Sequence, residues 1–250
     1  MQRQLNGKMP DEIAIERIRA FAPHDGKPYC LAYSGGKDST VILDLARRAG
    51  VPYEAHYSFV TIDPPELHRF ILDNPEIHID RGPSLWESIK RHHTLPTRWC
   101  RFCCQEMKER GGKGQTTITG VRWSESKQRS TRPMFRICPR RGGNILNPII
   151  DWTTYDVWSY IRTRNLPVCS LYADGWKRLG CILCPMASVA VRRRQAARWP
   201  RVAAAWRRAA DRLWEAHPER QKLHPSPDAQ WHWWMSEQRG KPSQDPLLFE

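Results

Sequence analysis

The sequence predicts an α/β fold: a doubly wound, mainly parallel five-stranded sheet with helices on both faces, plus a helical C-terminal extension. Three observations predict it. Short apolar runs at 29–33, 53–60, 76–80, 115–121 and 145–150 alternate with amphipathic helical segments, the alternation that places crossover helices between parallel strands. A chain of 250 residues is long enough to bury a large core. There is no internal repeat. In chain order, the first 25 residues carry Ile13, Ile15, Ile18 and Phe21 near helical spacing and predict a helix packed beside the sheet. The run at 29–33 is the first strand, and Val41 to Ala46 opens the next helix. Tyr53 to Val60 is the second strand. Gly111-Gly112-Lys113-Gly114 reads as a helix stop and a loop. After the fifth run, Thr153 or Thr154 caps a helix whose apolar face is Val157, Trp158 and Ile161. Residues 1–186 are expected to form the main domain and 187–250 a basic helical extension, with Pro-rich residues 222–246 and Trp231, Trp233 and Trp234 as a tail laid over it.

The junction between first strand and second helix carries the clearest chemistry. Ser34-Gly35-Gly36-Lys37-Asp38-Ser39-Thr40 follows the apolar run directly. Two glycines permit a tight turn with N–H groups facing inward, and the helix N-terminus adds its dipole, so the segment is an anion cradle suited to a nucleotide phosphate. Lys37 and the hydroxyls of Ser34, Ser39 and Thr40 suit phosphate oxygens. The spacing excludes the Walker pattern, which needs four residues between its first Gly and the Gly-Lys pair.

Eight cysteines form the second constellation. No apolar N-terminal leader is present and no run approaches the ~20 residues of a membrane span, so a soluble, cytoplasmic, reducing setting without a membrane partner is expected. Clustered cysteines there point to metal or redox chemistry. Cys100, Cys103 and Cys104 are separated from Cys181 and Cys184 by residues 105–180. Cys103, Cys104, Cys181 and Cys184 supply four thiolates, which suits a 4Fe-4S cluster or a tetrahedral zinc. Adjacent cysteines are awkward zinc ligands, which favours the cluster, with zinc as the alternative. Cys100-x-x-Cys103 is itself well spaced, so Cys100 is an alternative ligand in place of Cys103 or Cys104. Cys30, Cys138 and Cys169 stand alone, and core packing is their default.

Ser-Gly-Gly-x-Asp-Ser resembles the PP-loop of the ATP-pyrophosphatase superfamily, and the Cys-Cys pair followed at this distance by Cys-x-x-Cys resembles the iron–sulfur signature of its PAPS-reductase branch. Further segments agree in order. Thr61-Ile62-Asp63-Pro64-Pro65 follows the second run, where ligands bind outside the strand ends. Gly120-Val121-Arg122-Trp123-Ser124-Glu125-Ser126, with Arg129, looks like the family's Gly-x-Arg-x-x-Glu-Ser motif, whose guanidinium forks match phosphate or sulfate. Asn147 to Trp152 and Asp156-Val157-Trp158 resemble a mostly structural family segment. The resemblance implies nucleotide contacts at Ser34, Gly35, Gly36, Lys37, Asp38, Ser39, Thr40, Gly120, Arg122, Glu125 and Arg129, and catalytic parts for Lys37, Asp38, Asp63, Arg122 and Cys100. Two departures matter. Sulfonucleotide reductases carry a further Cys near the C-terminus, whereas this chain has none after Cys184, and its loop is of the type found in ATP users. Both point toward the DndC-type iron–sulfur sulfurtransferases of DNA phosphorothioation, with ATP and Mg²⁺ as cofactors and a cysteine desulfurase as sulfur donor.

Charge bears on partners. Forty Lys and Arg against 26 Asp and Glu give +14. Arg122, Lys127, Arg129, Arg132, Arg136, Arg140 and Arg141 face one acid, Glu125, and eight arginines between Val191 and Glu215 face Asp211 and Glu215. Such stretches surround an anionic nucleotide, form solvated helix faces, or attract a DNA or RNA backbone. Three readings follow: an ATP pyrophosphatase and sulfurtransferase, a PAPS or APS reductase, and a non-catalytic subunit that binds nucleotide and nucleic acid.

Overall fold

A computed structural model describes residues 7–139 and 142–236; Arg140, Arg141 and the end of the Trp/Pro-rich tail lie outside the described residues. The chain divides into two compact units. The first comprises residues up to 58, residues 65–80 and residues 110–179.

The sheet of the first unit contains β1 (Tyr29–Ala32), β2 (Tyr53–Ser58), β3 (Ile77–Asp80), β4 (Thr117–Ile118), β5 (Phe135–Cys138) and β6 (Gly143–Leu146), in the order β3-β2-β1-β4-β6-β5. All neighbours are parallel except β5 and β6. The expected mainly parallel sheet is thus present with a sixth strand, β5, as an antiparallel edge. Its sequence, Phe-Arg-Ile-Cys, alternates, and Ile137 is 73% exposed, so it never reads as an apolar run. An edge strand with one wet face needs no such run.

Helices α1 (Pro10–Ala20), α2 (Lys37–Ala49), α3 (Pro65–Leu72) and α5 (Thr154–Thr163) belong to this unit. α1 begins with Pro10 at its first position and Glu12 accepting the Met9 N–H at 2.7 Å, a favourable start. It buries Ala14, Ile15 and Ile18, and the Ile18 carbonyl accepts the buried Tyr29 hydroxyl at 2.8 Å. α2 is the central helix, with Val41 to Ala46 all buried. Its Asp44 accepts the Tyr160 hydroxyl of α5 at 2.5 Å, so a carboxylate buried between helices keeps a partner. α5 is capped by Thr153, whose hydroxyl accepts the Asp156 N–H while Asp156 accepts the Thr153 N–H at 2.9 Å. Asp156 therefore serves its own helix end.

The second unit comprises residues 59–64, 81–109 and those from 180 onward. It holds α4 (Leu85–His92), α6 (Val189–Arg198), α7 (Pro200–Ala216), α8 (Pro218–Leu223) and α9 (Pro227–Met235). Its core is a tryptophan stack. Trp206 and Trp234 are fully buried with ring centroids 4.7 Å apart, and Trp86 meets Trp206 edge-on at 5.4 Å. Both buried indoles keep their N–H bonded, Trp206 to the Ile182 carbonyl at 3.1 Å and Trp234 to that of Pro96 at 2.8 Å. That satisfies the polar end of a residue whose body is the largest apolar surface available. As far as residues 222–246 are described, their three tryptophans lie on α9, and Trp234 is part of the unit's core where the sequence led to the expectation of an overlaid tail.

Replacing Trp206 with Ala removes the centre of that stack and should cost about 3–5 kcal/mol, read as a lower midpoint in denaturant unfolding.

Candidate nucleotide site and cysteine cluster

The loop between β1 and α2 is shaped by close packing. Gly35 has φ +67°, and a Cβ there would lie 2.6 Å from Leu67 and 2.8 Å from Ile71 of α3, so only glycine fits. The α2 N-cap is Gly36, which offers no side-chain acceptor. Ser39 and Thr40 donate back to the Gly36 carbonyl at 2.8 and 3.2 Å, and Ser34 donates to Ser39 at 3.2 Å. These bonds fix the turn, and the N–H groups of a helix's first turn have no intrahelical acceptor.

One of those groups has a protein partner. The Lys37 N–H donates to the Tyr172 hydroxyl at 2.8 Å, and Trp158 packs edge-on against that ring at 5.0 Å. Burial pushes the Tyr172 phenol up to about 12, so it stays neutral and able to donate. Sequence reasoning missed Tyr172; a lone Tyr beyond the last strand carries no local signal.

Beneath the loop runs a chain of charges. Lys37 is 6% exposed, and its ammonium pairs with Asp38 Oδ2 at 2.9 Å. Asp38 Oδ1 accepts from Arg122 Nε at 2.8 Å, with Arg122 2% exposed. Arg122 Nη1 donates to Ser124 Oγ at 2.7 Å and to the Trp152 carbonyl at 3.2 Å, and its backbone N–H donates to Glu125. Glu125 in turn pairs with Arg129. A Cβ on Gly120 would approach the Asp38 backbone to 3.0 Å, which explains the glycine ahead of Arg122. Ser34, Gly36, Lys37, Asp38, Ser39, Gly120, Glu125 and Arg129 line one cleft of about 190 Å³, together with Tyr172 and the exposed Arg178. Thr40 bonds within the turn, and Gly35 shapes it from behind.

The cysteines gather in the second unit. Cys103, Cys104, Cys181 and Cys184 line one small cavity with Met107, Lys108 and Trp206. Cys100 is not among its lining residues; its N–H bonds to the Thr97 hydroxyl at 3.0 Å. The Cys103 thiol hydrogen-bonds Cys104 and, with Arg101 and Lys108 nearby, lowers the Cys104 thiol, while the same bond pushes Cys103 up. Burial pushes Cys181 up. Asp63 lies in this unit, 3.5 Å from the Lys108 ammonium. The backbone from Cys104 to Lys108 is a π-type turn, a feature frequent at functional sites. Between Cys181 and Cys184, Leu183 is buried at φ +61° with its N–H on Gln195 Oε1 at 2.8 Å. A bulky residue held in the left-handed region stores strain, and here it lies inside the Cys-x-x-Cys turn. Among the described residues, no three Cys, His, Asp or Glu side chains converge as a single-ion site. The four cysteines bring four sulfur donors to one cavity, the donor type that binds iron–sulfur clusters or zinc. Cys30 and Cys169 are buried, as packing residues should be, and Cys138 lies half-buried on β5.

Arg122→Met leaves Asp38 facing Lys37 alone. Because Asp38 keeps some contact with water, the loss should fall at the low end for breaking a buried pair, about 3 kcal/mol. Thermal unfolding measures it, and Arg122→Lys should recover only part, since an ammonium cannot reproduce the fork.

Comparison with known proteins fits this geometry. The chain is 29% identical over 177 residues to an uncharacterised protein of Methanocaldococcus jannaschii, a match covering 64% of this chain and 36% of that protein. The chain therefore spans little more than a third of that relative. It is 23% identical over 214 residues to adenosine 5'-phosphosulfate reductase 2 of Bacillus subtilis, covering 80% of this chain and 89% of that one. The crystal structure of Candida glabrata FMN adenylyltransferase with FMN and an ATP analogue superposes with a TM-score of 0.50 at 16% identity, over 69% of this chain and 63% of that one, a likeness of fold alone. The phosphoadenosine phosphosulfate reductase domain model matches residues 28–187, more than half of the chain, and the chain belongs to that family.

Proposed function

We propose that this chain binds ATP at the β1–α2 loop, adenylates an anionic acceptor with release of pyrophosphate, and serves sulfur transfer through a four-thiolate iron–sulfur centre. The observation that carries the first part is the cleft itself. A helix N-terminus without an N-cap side chain, a buried lysine, Arg129 and Arg178 line one space, a concentration of anion-binding groups that suits a triphosphate. Both Asp38 oxygens are engaged by cations, so its part is to hold Lys37 and Arg122 in place. In the reaction, an acceptor oxygen attacks the α-phosphorus; that O–P bond forms as the bond to pyrophosphate breaks. Lys37 and the loop amides stabilise the charge gathering on the leaving group. Mg²⁺, when bound, neutralises phosphate charge and favours the attack. A sulfide-level sulfur, released from a donor persulfide by a thiol reductant, then attacks the adenylated centre of the acceptor; that bond to sulfur forms as the bond to AMP breaks, and AMP leaves.

Support for the centre is the donor set of Cys103, Cys104, Cys181 and Cys184, with Cys100 in reserve as a sulfur-carrying thiol. When bound, a 4Fe-4S cluster supplies electron transfer or a sulfide site. A DNA or RNA backbone as acceptor is supported by the exposed arginines of α6 and α7, among them Arg201, Arg208 and Arg212. This reading places the chain near the DndC-type sulfurtransferases, with a cysteine desulfurase as donor, in the cytoplasm. The match across most of the Bacillus subtilis reductase favours a second reading, reduction of an adenylated sulfate.

One assay separates the two. With Mg²⁺ and ATP, anaerobically prepared protein should release pyrophosphate and AMP in the presence of an acceptor, and Lys37→Ala should lose about 10²-fold or more. Sulfite release from either sulfonucleotide, with no pyrophosphate from ATP, would assign the reductase reading instead.

A further inference from the structure

Most of the arginines of α6 and α7 are exposed, but Arg192 is 1% exposed. Its guanidinium carbon lies 4.3 Å over the Trp234 ring, and Nη1 donates to the Ser236 carbonyl at 3.3 Å. Nε and Nη2 are buried and have no hydrogen-bond partner among the described residues, and no carboxylate pairs with it there. An isolated buried cation costs several kcal/mol unless a counter-charge compensates it. Burial accordingly pushes Arg192 down to about 10, and the Cys184 thiol acts in the opposite direction. The same helix reaches the Cys-x-x-Cys turn through Gln195, three residues along, which binds the Leu183 N–H.

We propose that Arg192 is the built-in counter-charge of the four-cysteine site, a positioning residue whose missing anion is the thiolate set itself. This rests on the four-thiolate reading. Without thiolates the guanidinium is a buried charge with no anion among the described residues; with four thiolates gathered, it joins Arg101, which bonds the Cys104 sulfur at 3.5 Å, and Lys108 of the cavity lining in offsetting negative charge that the apolar walls of Met107 and Trp206 cannot. A positive charge there favours the more negative, reduced state of a bound cluster. The Trp234 face holds the guanidinium without neutralising it, since cation–π attraction leaves the charge intact.

The test uses full-length protein reconstituted anaerobically with iron and sulfide, comparing wild type, Arg192→Met, Arg192→Lys and, as a surface-charge control, Lys222→Met. In a redox titration followed by visible absorbance, Arg192→Met should shift the reduction equilibrium toward the oxidised form by about tenfold or more, the effect of a unit charge within about 10 Å at an effective dielectric near 20. Arg192→Lys should keep most of the wild-type value, and Lys222→Met should match it. Metal-free Arg192→Met should melt no lower than wild type, because an uncompensated buried charge has been removed. A loaded Arg192→Met protein with the potential of Lys222→Met overturns the counter-charge role alone. A wild-type protein that takes up no iron overturns the four-thiolate reading, and this inference with it.

Discussion

A phosphate cradle works only if its donors are left unsatisfied, and an unsatisfied donor must be held in place by something else. In the first unit that support is the buried run Lys37–Asp38–Arg122. Asp38 spends one oxygen on each cation, so Lys37 is fixed without being withdrawn from the cleft, and Arg122 is fixed by the Trp152 carbonyl and Ser124 behind it. The glycines follow from the same constraint. Gly120 lets the Arg122 segment approach Asp38, and Gly35 lets the loop lie on α3. Tyr172 adds a neutral partner for one loop amide, which a phosphate oxygen can replace or share.

The second unit gathers four half-buried cysteines around one cavity. Its tryptophan stack provides a stiff apolar wall, and through the Trp206 bond to Ile182 the wall also holds the Cys-x-x-Cys turn. Leu183 in the left-handed region shows that this turn is set by its surroundings, with Gln195 and the Ile62 carbonyl holding its amides. Cys104, whose thiol is lowered by its bond from Cys103, and Cys181, whose thiol is raised, share one cavity, and Lys108 lines it with them.

Much of this was legible in the sequence because it is local. The strand, Gly-Gly turn and helix around Ser34 to Thr40 announce themselves within a dozen residues, and clustered cysteines announce a shared site. The parallel sheet was legible through its apolar runs, and the start of α5 through its candidate caps Thr153 and Thr154, of which Thr153 is the one used. What escaped depends on tertiary context. Strand β5 is an edge with Ile137 in solvent, so its pattern is too polar to stand out. Tyr172 reaches the loop from 135 residues away. Arg192 looks like its neighbours in a basic run, and only folding buries it. The Trp-rich segment reads as a tail because its prolines suggest breaks, yet Pro227 sits at the start of α9, where a missing N–H costs nothing.

The proposed chemistry depends on whether the loop is an open pyrophosphate cradle. Titration calorimetry of Mg²⁺-ATP into the protein, repeated in the presence of inorganic pyrophosphate, measures this directly. Binding of one ATP per chain, displaced competitively by pyrophosphate, is the predicted result. ATP that fails to bind, or binding that pyrophosphate does not compete, would contradict it.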